Sequence, residues 1–147
     1  MSYEILGETI KSATSVKLGE IFENPIRYKE SISSPKYPNF FINQVNVQIT
    51  PAGKDRFQLD YLMNIRYRIA DDVSTLNNLE QQLDAVGLKL CAELDVLDLE
   101  LPTKTKNRHY QKDDGVLQFF FEITVFAKPL LTEDNKLKNY NLNEEVI

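Results

Sequence analysis

The chain has 147 residues, 42% hydrophobic and 27% charged, with five glycines, six prolines and a single cysteine. That composition excludes disorder and collagen-like repeats for most of the length, and the size suits one domain that buries about 68–70% of its unfolded surface without disulfide or metal staples. Seventeen basic against 22 acidic residues leave a formal net charge of −5, which speaks against a strongly basic nucleic-acid-binding domain.

The first segment, Tyr3 to about Phe22, reads as an amphipathic helix. Ser2 is the expected N-cap and Glu4 sits in the first turn, with Leu6, Ile10, Ala13 and Val16 recurring at helical spacing. Gly7 and the Ser/Thr residues weaken its intrinsic propensity, so packing must hold it. The first basic residue is Lys11, and Met1–Ile10 lacks the apolar core of a signal peptide. No stretch approaches the roughly 18 apolar residues of a membrane span. With Cys91 alone, neither an internal disulfide nor a thiolate zinc cluster is expected, which fits a protein made in a reducing cytoplasm.

Asn24-Pro25 ends the helix and introduces a short strand, Ile26–Glu30, since proline cannot donate a ladder hydrogen bond mid-sheet. A loop follows through Ser31–Asn39, punctuated by Pro35 and Pro38. Phe41–Thr50 then alternates, with Phe41, Val45, Val47 and Ile49 on one parity and Gln44, Asn46 and Gln48 on the other. After the turn Pro51-Ala52-Gly53, the residues Phe57, Leu59, Tyr61, Met63, Ile65, Tyr67 and Ile69 occupy successive odd positions. A half-buried strand produces this period of two and a helix cannot. At about 3.3 Å per residue, residues 56–69 span roughly 45 Å, which predicts a hairpin projecting past its own sheet toward a neighbour.

Asp71-Asp72 and Ser74/Thr75 offer caps for a second helix, whose stripe is Leu76, Leu79, Leu83, Val86, Leu90 and Leu94. Packing on the sheet is favoured over a coiled-coil seam, because the run covers under three heptads and Gly87 interrupts it. Leu97, Leu99 and Leu101 form a short strand ending at Pro102. Lys106–Gln111, the turn Lys112-Asp113-Asp114-Gly115 and Val116–Lys128 form a second hairpin, signalled by Asp-Gly between alternating segments. Leu117, Phe119, Phe121, Ile123 and Val125 share one face of its last strand. Leu130–Ile147 reads as a tail without a core of its own, leaving a single domain over 1–129 and a C-terminal extension over 130–147. The expected fold is α+β: an antiparallel sheet with two main helices on one face, a long projecting hairpin and a C-terminal tail.

Catalytic chemistry is thin. His109 is the only histidine, so no two-His relay or His-based metal site can be built, and it sits among Lys106, Arg108 and Lys112 as an exposed strand residue. Cys91 borders the core stripe and reads as a buried, inert thiol. Gly7, Gly19, Gly53, Gly87 and Gly115 are isolated, so no phosphate loop exists, and the paired aspartates at 71–72 and 113–114 stand where caps and turns want them. The sequence predicts no enzyme, no cofactor and no metal.

Three sets of residues remain as candidates for a subunit or partner interface. Lys104, Lys106 and Arg108 on one strand face, with Tyr110 following, could track a phosphate backbone, but a solvated edge or subunit contact is favoured. Phe120 and Phe126 turn away from the helix-covered face if the odd parity meets the helices. Leu62, Arg66 and Arg68 do the same on the long strand. Outward aromatics on a sheet face call for a covering surface, either a partner or a folded-back tail carrying Leu130, Leu131 and Leu137.

This plan resembles the tail terminator, or tail-completion, proteins of tailed phages and phage tail-like particles of Gram-positive hosts. The resemblance is carried by Tyr37-Pro38-Asn39-Phe40-Phe41-Ile42, by the 56–69 strand leading into the Leu76–Leu94 helix, and by Asp114-Gly115-Val116-Leu117-Gln118-Phe119-Phe120-Phe121. It covers about Tyr3–Lys128. It implies a structural virion protein that forms a six-fold ring at the head-proximal end of the tail, caps the tube, ends polymerisation and offers the head-joining surface. The implied partners are copies of itself, the tube protein, the sheath protein of a contractile tail, and neck or connector proteins. DNA would only pass through the lumen, and no membrane is involved. Another neck or tail component, such as a connector or tube-like protein, a cytoplasmic protein-binding adaptor and, last, an enzyme using His109 stay open as alternatives.

Overall fold

In the computed structural model, which describes residues 6–127, the chain runs α1 (Leu6–Ile21), β1 (Ile26–Tyr28), β2 (Asn39–Pro51), β3 (Phe57–Arg68), α2 (Leu79–Glu93), β4 (Val96–Asp98), β5 (Pro102–Asp113) and β6 (Val116–Ala127). The strands form one six-stranded sheet in the order β1-β2-β3-β6-β5-β4. The α+β class is as expected, with both helices on one face.

The odd residues of β3 become the centre of the core. Leu59, Tyr61, Met63, Ile65 and Tyr67 are all buried, and they meet Leu117, Phe119, Phe121 and Ile123 of β6. Period-two alternation delivers one whole parity to the helix side, as the strand geometry requires. β3 is also where the projecting hairpin fails. It pairs with β2 on one side and with β6 on the other, from Phe57↔Ala127 to Tyr67↔Leu117. β3 is therefore in the middle of the sheet and does not project, because β6 matches its length and gives it a ladder on its second side.

β2 corrects the expected parity. Phe40 and Ile42 are fully buried, whereas Phe41 turns to the opposite face and stacks on Tyr28 with ring centroids 5.0 Å apart. The register then slips between Gln44, opposite Met63, and Asn46, opposite Leu62. Val45 is the extra residue of this bulge and is 51% exposed. One inserted residue inverts the parity, so that Val47 beyond the bulge packs on the core while even residues did so before it. β1 pairs parallel to β2, at Ile26↔Asn39 through Tyr28↔Phe41, so the sheet is mixed and not wholly antiparallel.

α1 buries Leu6, Ile10, Thr14 and Leu18, a stripe stepping by four, and leaves Val16 60% exposed. Thr14 is tolerated inside because its hydroxyl donates to the Ile10 carbonyl at 2.7 Å. The helix touches β1 and β2 near one sheet edge and β4 at the other, so the sheet curls around it. Phe22, just past the helix, tilts against Phe40, which in turn meets Tyr67.

α2 packs over β5 and β6 through Leu83, Gly87 and Leu90, with Leu94 following. Full burial of each such leucine contributes about 1.5–3 kcal/mol before conformational entropy is charged. The helix starts later than its leucine stripe suggests. Asn78 occupies the N-cap position with φ 57°, and Asp72 instead closes a turn by accepting from the Ser74 backbone N–H at 2.9 Å and its hydroxyl at 2.7 Å. The strand expected to end at Pro102 ends at Asp98, and Pro102 opens β5, leaving Leu101 74% exposed. The Asp-Gly signal holds: Asp114 (φ 49°) and Gly115 (φ 77°) join β5 to β6 in a tight turn. The expected cap Ser2 and the expected tail 130–147 lie outside the described residues.

Candidate assembly interface

The face of the sheet turned away from the helices carries a polar network between strands. Lys106 donates to the Thr124 hydroxyl at 2.6 Å, and that hydroxyl donates onward to the Asp60 carboxylate. Gln58 also donates to Asp60, at 3.0 Å to Oδ2. The Thr124 and Gln58 hydrogen bonds, helped by the charge of Lys106, hold the Asp60 carboxyl below its ordinary range against a smaller opposing effect of burial. Alongside, Asn107 donates to Glu122 at 3.0 Å and Asn64 to Gln118 at 3.1 Å. These cross-strand pairs fix the register of β3, β6 and β5 on the solvent side.

Aromatic rings interrupt this polar surface. Phe120 stacks on His109, centroids 5.2 Å apart at 17°, so each ring shields one face of the other. His109 Nδ1 lies 2.8 Å from the Asn107 carbonyl oxygen. Phe126, 51% exposed, carries the Arg56 guanidinium 4.4 Å above its ring. Leu62 is half-buried in a shallow depression of about 160 Å³ with Asn46, Gln48 and Glu122. Arg66 and Arg68 are exposed near the opposite end of β3.

The structure separates the three basic candidates on β5, Lys104, Lys106 and Arg108. Lys104 is exposed opposite Val96, and Lys106 joins the outer network. Arg108 does not share their face. A bulge between Lys106 and His109, with Asn107 at φ 53°, turns Arg108 toward the end of α2. There its Nε donates to the Cys91 carbonyl at 2.9 Å and its Nη1 to the Thr105 hydroxyl at 2.9 Å. A guanidinium at a helix C-terminus satisfies an orphan carbonyl and opposes the negative end of the dipole. The expected continuous basic strip is thus broken by one extra residue. Cys91 itself is half-buried, and burial pushes its thiol up, away from reactivity, with Arg108 opposing.

Two features escaped the sequence reading. Leu99, Leu101, Pro102, Val125 and Phe126 line a groove of about 400 Å³. Leu101 belongs to the expected alternation with Leu97 and Leu99, but the strand stops at Asp98 and Pro102 opens the next one. The second is a lock between α2 and β5: Lys112 bridges Glu80 at 2.6 Å and Asp84 at 3.0 Å, and the Tyr110 hydroxyl donates to Asp84 at 3.1 Å. Its signal was a helical i, i+4 acidic pair opposite the alternating Tyr110 and Lys112.

Among the described residues, no group of three or more His, Cys, Asp or Glu side chains could hold a metal, and no helix is long and apolar enough to cross a membrane. Residues 9–136 match the phage tail terminator protein family, a span that takes in most of α1 and every later described element. The chain belongs to this family. No curated protein matches it significantly. As a tail terminator it is a structural component of phage tail assembly, a part of the virion that works among other tail and head proteins. The residues of interest in a terminator are accordingly those that meet other proteins of the tail and head.

Proposed function

We propose that this terminator forms a ring, six copies in the expected arrangement, that caps the tail tube at its head-proximal end, stops tube growth and presents the surface to which the head joins. The family match across almost the whole described fold carries this reading. Its contacts are copies of itself, the tube protein, neck proteins and, where the tail contracts, the sheath. Leu62, Arg66, Arg68, Phe120, Phe126, Lys104 and Lys106 are the side chains proposed to meet these neighbours, with Arg108 serving α2 instead. A net charge of −5 suits a ring whose lumen lets DNA slide past, because like charges do not hold it.

Deleting the gene from its phage and imaging the particles tests the proposal. Tails of irregular, extended length without heads, restored to normal by a plasmid copy, are the expected result. Uniform tails joined to heads in the deletion strain would refute it.

A further inference from the structure

β2 offers a strand edge that no strand among the described residues covers beyond its first three residues. β1 pairs only with Asn39–Phe41, and among the described residues no strand lies against the outer side of β2 from Asn43 to Pro51. In a chain that is 27% charged, the thirteen residues of β2 include no charge at all. Val45 and Ile49 on this edge are 51% and 41% exposed. Soluble proteins normally defend a free edge with lysines, proline or bulges. Here the bulge at Val45 and Pro51 at the end leave Asn46–Thr50 as a regular, uncharged template.

The other side of the sheet is also open, with opposite character. β4 covers only Pro102–Lys104 of β5, and among the described residues Lys106–Asp113 has no further strand beside it. That stretch carries Lys106, Arg108 and Lys112. Two such edges repel each other, since like charges directly opposite destabilise a strand pair. An uncharged edge raises no such objection.

Strand direction completes the match. β3 runs antiparallel to both β2 and β6, and β6 antiparallel to β5, so β2 and β5 of one molecule point in opposite directions. A second copy set beside the first without being turned over therefore brings its β5 antiparallel to β2. We infer that β2 of one copy pairs with β5 of a second copy of this chain, joining neighbouring sheets edge to edge. The inference rests on the ring-forming reading, because a head-to-tail contact repeated by rotation closes only in a ring, and the closed ring leaves neither edge free. The two open stretches are offset along the strands: Asn46 lies level with Lys106 across the sheet, and β2 is free mainly beyond that level while β5 is free before it. Joining them staggers the copies, which closed sheets accommodate by tilting their strands.

Cysteine cross-linking in purified particles tests the junction. In a Cys91→Ala background, Asn46→Cys, Gln48→Cys or Thr50→Cys on β2 is combined with His109→Cys or Gln111→Cys on β5, all outward-facing positions. After mild oxidation, at least one combination should give a ladder of bands up to the copy number of the ring, with neither of its single variants doing so. Particles of normal tail length that contain the protein but yield only monomer for every combination overturn the strand junction and leave the ring reading standing. Dimers from Gln48→Cys alone overturn it in favour of a β2-to-β2 contact. Particles with normal tails that lack the protein overturn the ring reading, and the junction with it.

Discussion

The ring of Tyr110 lies over the backbone of Gly87. A β-carbon built on Gly87 would meet three carbons of that ring at 2.8 Å, inside any normal contact distance. The ring is also tied by its hydroxyl to Asp84, one turn earlier on the same helix. Glycine at this point is thus what allows α2 to sit down on β5.

Replacing Gly87 with Ala should therefore destabilise the protein, although it removes a poor helix former. The gain in helix propensity is about 0.5–1 kcal/mol, and overpacking against a held ring costs about 1–3 kcal/mol. Thermal unfolding should show a lower Tm, by about 2–4 °C for each net kcal/mol lost. A raised Tm would mean that the Tyr110 ring moves aside freely.

The basic residues of β5 should divide by role. Arg108→Ala removes the donor to the Cys91 carbonyl and leaves the end of α2 uncapped, for a loss of about 1–2 kcal/mol in urea unfolding. Lys104→Ala, on an exposed side chain, should fall within about 0.5 kcal/mol of the parent. Equal effects would contradict the separation of the two residues by the bulge.

Asp60 gives a pH signature. Its carboxyl is held below the ordinary carboxylate value by Thr124 and Gln58. A depressed folded-state pKa means that the contribution to stability is complete above the unfolded value, about 3.9, and is lost as pH falls through the folded one. Asp60→Asn should flatten the acid limb of stability against pH below about pH 4 and leave its neutral limb without a new slope. An unchanged acid limb would show that Asp60 titrates normally.

Phe126 should matter more to assembly than to folding. It is half-exposed with Arg56 over its ring, so Phe126→Ser should lower unfolding free energy by about 1–2 kcal/mol and leave the fold intact. Exposed aromatics that anchor interfaces typically carry 1 kcal/mol or more of contact energy, enough to reduce incorporation into particles several-fold. Normal incorporation of the variant would remove Phe126 from the interface.

Much of this fold was legible because long strands write their geometry into the sequence. The odd apolar residues from Phe57 to Tyr67 and the Asp-Gly turn at 114–115 each have a single physical reading, and both hold, with Ile69 just past the end of the strand. What stayed hidden came from single-residue irregularities. The bulge at Val45 moves Phe40 and Ile42 into the core in place of Phe41, and the bulge before His109 sends Arg108 to the end of a helix. No composition or periodicity marks such an insertion, since either parity of Phe40–Ile42 is apolar enough to bury. In α1, Val16 and Leu18 compete for the same stripe, and only the position of the curled sheet decides for Leu18. The expected hairpin arm fails for another reason: the length of β3 is written in its own residues, but whether it projects depends on β6, which is equally long and pairs along it.

The most direct test of the account is a cryo-electron-microscopy reconstruction of the head–tail junction of the assembled particle. It should show a single ring of six copies, each fitting the fold of residues 6–127, seated between the last ring of tube subunits and the neck. Density for this fold elsewhere in the particle, or a tube that meets the neck with no such ring between them, would contradict the claim that this chain ends the tail.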